Sequence, residues 1–277
     1  MKCIVKFQRA FIPLVVSSLL LSLPDLAMAT WSITAVDPKT REVGIAGASC
    51  TDFVFGIAGI APGKGVIVAQ AMSNMAAKKV GIKMLLEGAS PQDAIRAINN
   101  PEFDLNFSLQ QYGIAALGFE NKTATYTGKD IDGWKSTAQG YGVSVQGNTL
   151  TGPEVVSDAL SAFEAASKYG EMRLADRLMA ALEAGAARGG DSRCGKQKAR
   201  SAFIIVARPT DDMQTPYLRI NIPGQEEGGA NPIKLLRRKY DQWLRLESGN
   251  RKVSMSERRA VTTRSDTAGT AATSSNS

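Results

Sequence analysis

In this chain a strand begins almost directly after a cleavage signal. Lys2, Lys6 and Arg9 precede an apolar run of 14 residues, Ala10 to Leu23. That run is too short to span a bilayer comfortably. Pro24 and Asp25 break it, and Ala27-Met28-Ala29 has the small-x-small pattern that signal peptidase cuts. Cleavage there makes Thr30 the first residue of a periplasmic or secreted chain that keeps no membrane attachment; the alternative is an uncleaved membrane anchor. No loose lead-in follows. Residues 31–37 alternate as a strand does, Asp37-Pro38-Lys39-Thr40 signals a turn, and residues 42–48 read as the returning strand. The expected hairpin therefore starts at the mature terminus and ties it into a sheet, where most termini fray.

The remaining pattern is read the same way. Residues 65–71 are an apolar run typical of a buried central strand. Residues 73–87 form a helical stretch ended by Gly88. Ser90 then caps a second helix, with Pro91 at its first position and Asp93 at its third. A hairpin is expected over 112–118 and 122–127, and a strand over 141–146 that stops at Gly147-Asn148. Helices follow at about 152–168 and 173–187, strands at 201–207 and 217–222, and a last helix from Asn231-Pro232 to about Leu246. Ile233, Leu236, Tyr240, Trp243 and Leu244 give that helix one apolar face. The order is α+β without strict βαβ alternation, which suits two antiparallel-rich sheets between helical layers. One domain over 30–247 is expected. It lies between the signal peptide at 1–29 and a Ser/Thr/Ala/Arg-rich tail at 248–277 that reads as disordered.

Composition excludes several kinds of chemistry. Of the formal net charge of +7, +2 lies in residues 1–29 and +3 in residues 249–277, which leaves +2 for the domain. No basic patch large enough for nucleic acid follows from that balance. There is no histidine, so Ser-His-Asp, Cys-His and His-ligated metal chemistry are excluded. No Cys-x-x-Cys pair and no Asp-rich loop is present, and no metal or cofactor is expected. Cys3 leaves with the signal. Cys50 and Cys194 remain, an even number in an oxidising compartment, and a disulfide between them is expected.

A threonine hydroxyl attacks an amide only if a base removes its proton. A terminal α-amine titrates near 7.7–8.0 and can be that base for its own residue. Removal of the signal peptide would thus be the activating step, since an amide nitrogen cannot take the proton. On this reading Thr30 is an N-terminal nucleophile; the alternative is that threonine follows the cleavage site by chance.

TWSITAVDPKTREVGIAGAS from residue 30, GVIVAQA from 65, VQGN at 145–148 and LEAGAARGGDSRCGKQKARSAFIIV at 182–206 together resemble the domain of unknown function 1028 family, which is grouped with the Ntn (N-terminal nucleophile) hydrolases. The resemblance spans residues 30–245. It implies a four-layer αββα sandwich with the nucleophile at the start of a central strand. It implies no particular substrate.

Acyl transfer needs donors aimed at the developing oxyanion. Asn148 is the first candidate and Gln146 a weaker one, although Asn148 also reads as a turn residue. Ser49, ending the second strand, is expected beside Thr30. Asp191 and Arg193 sit in the glycine-rich stretch 189–195, where backbone can approach a ligand closely. Asp191 could hold the Thr30 ammonium and Arg193 a substrate carboxylate, or the two could form a structural salt bridge or cap. Gln70 and Asn74 flank the end of the 65–71 strand and could line the pocket. Lys64 is a further possible activator, or a plain loop lysine. The expected function is an exported amidohydrolase working through an acyl-enzyme on Thr30, with a small-molecule or peptide amide as substrate and signal peptidase as its maturation partner. A homo-oligomer stays open. A non-catalytic binding protein on the same scaffold is the rival; a serine hydrolase using Ser49 or Ser201 with a lysine base is a third reading.

Overall fold

The computed structural model describes residues 30–168 and 172–249. The expected signal peptide and most of the expected tail lie outside the described residues. Thr30–Val36 form β1 and Val43–Ser49 form β2, joined by the expected turn. Ala58–Ala61 (β3) and Gly65–Ala71 (β4) make a second hairpin, and Met75–Leu86 (α1) and Pro91–Ile98 (α2) follow. Next come Gln110–Ala116 (β5), Ala124–Thr127 (β6), Trp134–Gly140 (β7) and Val143–Leu150 (β8). Two helices, Glu154–Lys168 (α3) and Leu174–Ala187 (α4), precede Ser201–Ala207 (β9) and Leu218–Ile222 (β10). Residues 232–249 are the last helix, α5.

The fold is α+β. Every strand pair is antiparallel, in one sheet of six strands ordered β10-β9-β2-β1-β8-β7 and one of four ordered β3-β4-β5-β6. Alternation along each strand decides what lies on either face. In β1, Trp31, Ile33 and Ala35 pack against Val155 and Phe163 of α3 and Leu178 and Leu182 of α4. The apolar face of α5 joins the same cluster through Ile233, Leu236 and Tyr240. On the small sheet, Ile67, Ala69, Tyr112 and Ile114 pack against α1 and α2. The other faces of the two sheets meet. Val43 and Ile45 of β2 and Phe203 and Ile205 of β9 bury Val66, Val68 and Ala115.

Local capping follows the sequence. Asn74 caps α1 by accepting from the N–H groups of Ala76 and Ala77, and Ser90 caps α2 by accepting from Asp93 N. Two strands escape sequence reading. β3 is four residues long with a glycine inside it. β7 (WKSTAQG) is a half-exposed edge strand with no apolar alternation to betray it. The end expected for β8 is corrected. The strand runs through Gly147 and Asn148 to Leu150, so Asn148 is a strand residue and not a turn residue. An added Cβ at Gly147 would stand 2.7 Å from Leu150 Cδ1, so glycine here serves close packing and not a turn.

Candidate active site

Thr30 is the first residue of β1, in the middle of the larger sheet. It stands opposite Ser49 on β2 and Asn148 on β8. Cross-strand partners share a face, with Cβ atoms about 4.5–5.5 Å apart. The structure thus brings Thr30, Ser49 and Asn148 together at one end of the sheet, with their side chains toward the smaller sheet. Thr30 is 1% exposed.

Facing them is a buried polar layer that runs the length of β1. Thr34 Oγ1 and Ser144 Oγ are 2.6 Å apart, and Ser144 Oγ donates to Gln146 Oε1 at 3.0 Å. Gln146 Nε2 donates to Ser32 Oγ at 2.7 Å, and Ser32 Oγ donates to Gln70 Oε1 at 2.6 Å. Gln70 Nε2 donates to Gln111 Oε1 at 2.8 Å and to the Thr30 carbonyl at 3.4 Å. Asn148 Nδ2 donates to the same Gln111 oxygen at 3.0 Å. Ser32, Thr34, Gln70, Gln111, Ser144, Gln146 and Asn148 are all fully buried. A core of amides is tolerable only if its donors meet acceptors, and this one is almost complete. Among the described residues only Asn148 Oδ1 of the layer lacks a partner.

The other expected site residues are placed as follows. Gln70 reaches Thr30 directly. Gln146 is held two residues further along the strand pair by Ser32 and Ser144, so it belongs to the interior. Asn74 is occupied as the α1 cap and donates to Asp104 Oδ2 at 2.7 Å. Asp191 is fully buried. Its Oδ2 accepts from Cys50 N at 2.6 Å and from Arg193 Nη2 at 2.9 Å, and its Oδ1 accepts from Arg193 N and Nε at 3.1 Å. The carboxylate thus anchors the residue after Ser49 and caps the 3-10 turn Ser192–Gln197. Cys50 and Cys194 are disulfide-bonded with a Cα–Cα distance of 5.6 Å, which pins the same two loops together. Lys64 precedes β4 at the end away from Gln70, roughly 20 Å along the strand. It is excluded as a base for Thr30.

Two glycines of 185–190 lie against Trp31. A Cβ on Gly185 would lie 2.8 Å from Trp31 Nε1, and one on Gly190 would lie 2.8 Å from Trp31 Cη2. They make room for the indole that follows Thr30. Gly190 also has φ +63, which suits glycine.

Three non-glycine residues at this end adopt left-handed backbone: Ala71 and Ser73 beyond Gln70, and Thr149 beside Asn148. A β-branched residue at φ 50 is costly, and such strain gathers at functional sites. Lys78 of α1 is buried and donates to the carbonyl of Gly56, in the 3-10 turn Val54–Ile57 that follows Ser49 and Cys50. Burial pushes its ammonium below the usual lysine range. Gln111, Ser32, Thr34, Ser144 and Lys78 were not singled out by the sequence. The signal available for most of them was polar residues at every second position of strands otherwise built from apolar ones.

Two cavities lie elsewhere. One of about 880 Å³ is lined by Asp37, Glu42, Phe163, Arg173 and Arg177, at the far end of β1. One of about 230 Å³ is lined by Gly63, Lys64 and Phe119. Among the described residues no cluster of three His, Cys, Asp or Glu side chains could hold a metal ion, and no helix is long and apolar enough to cross a membrane.

No curated protein matches this chain. Among solved structures, the crystal structure of protein SPO2555 from Silicibacter pomeroyi, described with the family label DUF1028, is similar in fold. It is 24% identical, with a TM-score of 0.64, over 77% of this chain and 88% of that one. The model of the family of unknown function DUF1028 matches residues 30–230, beginning at the residue that opens β1. The chain belongs to the DUF1028 family.

Proposed function

We propose that this protein is an exported amidohydrolase of the N-terminal nucleophile type. Its helices, two facing sheets and further helices are read as the four-layer αββα sandwich of that class. Residues 1–29 act as the export signal, and the mature protein works in the periplasm or outside the cell. The Cys50–Cys194 disulfide suits such an oxidising compartment. The observation that carries the reading is a coincidence at Thr30, a residue of a central strand: the cleavage pattern ends and the family match starts there.

In the mechanism, hydrolysis of the bond before Thr30 turns an amide nitrogen into an amine. The amine takes the proton of its own Oγ1 as the oxygen attacks the substrate carbonyl carbon. The leaving amine departs with that proton, and an acyl ester remains on Thr30. Water then cleaves the ester by the reverse proton route. Ser49, backbone N–H groups at the sheet end and the second hydrogen of Asn148 Nδ2, whose first goes to Gln111, are the available partners for the oxyanion. Asp191, through Cys50 N–H, holds Ser49 in place, and Arg193, paired with Asp191, is the candidate partner for a substrate carboxylate.

A second reading, a non-catalytic binding protein, draws support from the two cavities, neither of which Thr30 lines. One comparison separates the two. Mature protein with Thr30 confirmed as its first residue is incubated with acyl-amide and peptide libraries, and a covalent adduct is sought by intact mass. An acyl group on Thr30, lost together with turnover in Thr30→Ala and retained in Thr30→Ser, supports the hydrolase. Equal turnover in Thr30→Ala refutes it.

A further inference from the structure

We infer that Asn148 is the positioning residue for the Thr30 α-amine, accepting one of its N–H bonds through Oδ1 and so turning the nitrogen lone pair toward Oγ1. This rests on the proposed role of Thr30. The hydrogen-bond network decides which way the Asn148 amide points. Gln111 Nε2 donates to the Gly147 carbonyl at 3.0 Å, an atom that can only accept. That fixes Gln111 Oε1 on the opposite side of its amide, where it accepts from Gln70 Nε2 and Asn148 Nδ2. Turning Asn148 over would set oxygen against oxygen. Its Oδ1 is therefore directed away from Gln111. It is buried, and among the described residues it has no donor. Buried acceptors without donors are rare and costly.

Asn148 is the cross-strand partner of Thr30, so its side chain is next to that of Thr30 on the same face. In the uncleaved chain the Thr30 nitrogen is an amide with a single hydrogen. Hydrolysis of the preceding peptide bond consumes one water and leaves an amine with two hydrogens, or an ammonium with three. Cleavage thus creates the new donors in the immediate neighbourhood of the acceptor that lacks one. The side chains facing Thr30 from β2, β8, β4 and β5 are Ser49, Asn148, Gln70 and Gln111, all uncharged. Asp191 is committed to Cys50 N and Arg193. A neutral acceptor orients the amine without locking it in the charged form, as a carboxylate would.

The test is the pKa of the α-amine, followed by the 15N shift of threonine-labelled mature protein. Asn148→Ala removes the acceptor and should lower that pKa. Asn148→Asp should raise it by about one unit or more, moving the acid limb of any turnover to higher pH. Asn148→Ser can still donate to Gln111 and accept from the amine, and should lie closest to the wild type. It is also the readable variant if the aspartate, placed against Gln111 Oε1, prevents folding. Circular dichroism establishes which variants fold. An α-amine pKa identical in all folded variants overturns the inference and leaves the nucleophile proposal standing. A mature chain with no free amine on Thr30 overturns the nucleophile proposal itself.

Discussion

Gly113 provides a quantitative test of the buried polar layer. It lies on β5 with its Cα facing Gln146, and an added Cβ would fall 2.0 Å from Gln146 Oε1 and 2.3 Å from its Cδ. A glutamine end group normally moves aside easily, but this one is pinned. It accepts from Ser144 Oγ and donates to both the Ser32 carbonyl and Ser32 Oγ, and no solvent reaches it. In Gly113→Ala the amide must leave some of these partners, at about 1–3 kcal/mol for each buried group left unsatisfied. Against this, alanine recovers about 0.5–1 kcal/mol of strand propensity and chain entropy relative to glycine. The expected net loss is roughly 2 kcal/mol, read as a lower urea midpoint at unchanged slope. In a Gln146→Ala background the obstacle is gone, and Gly113→Ala should become neutral or stabilising by up to about 1 kcal/mol. A reversal of sign between backgrounds is the signature of direct contact. Equal costs in the two backgrounds would refute the packing argument.

Replacing Cys50 and Cys194 together by serine opens a link between residues 144 apart and should cost on the order of 4–5 kcal/mol by chain entropy. The fold should persist, since Asp191 still holds Cys50 N, and the loss is checked by urea unfolding under oxidising conditions. Glu42 is nearly buried, and burial raises its carboxyl above the usual glutamate range, more than Arg208 lowers it. The folded chain therefore holds that proton to higher pH than the unfolded chain does. Its contribution to stability is greatest below about pH 4.5 and falls as pH rises through the folded value. Glu42→Gln should remove that decline, so that wild type loses ground to the variant from pH 4 to pH 7 in thermal melts.

Much of this architecture could be read from the chain because period and punctuation agree in it. The strands at 65–71 and 201–207, the Ser90-Pro91 helix start and the apolar face of the last helix are local statements, and they fold as such. The six-strand order is not local. Nothing in β7 or β3 marks them as strands, because an exposed edge and a four-residue segment carry little alternation. At the site, the neighbourhood of Thr30, Ser49 and Asn148 follows from the hairpin and from β8. The partners of those residues do not. Gln111 enters from the other sheet, and a glutamine at the start of a strand has no local sign of being buried. Gly189 and Gly190 suggested a ligand loop because what they make room for, Thr151 and the Trp31 ring, lies far away in sequence.

The pairs between β1 and β8 also set a length scale. Thr34 meets Ser144, a pair of hydroxyls, while Ser32 meets Gln146 and Thr30 meets Asn148, hydroxyl against amide. A one-residue slip would turn every polar group to the helix side. A two-residue slide would keep the faces but set Thr34 opposite Gly142 or Gln146 in place of Ser144 and break the hydrogen bonds between the present partners. The ladder thus works as a vernier along the strand, and the position of Thr30 is decided by serines and threonines well inside it.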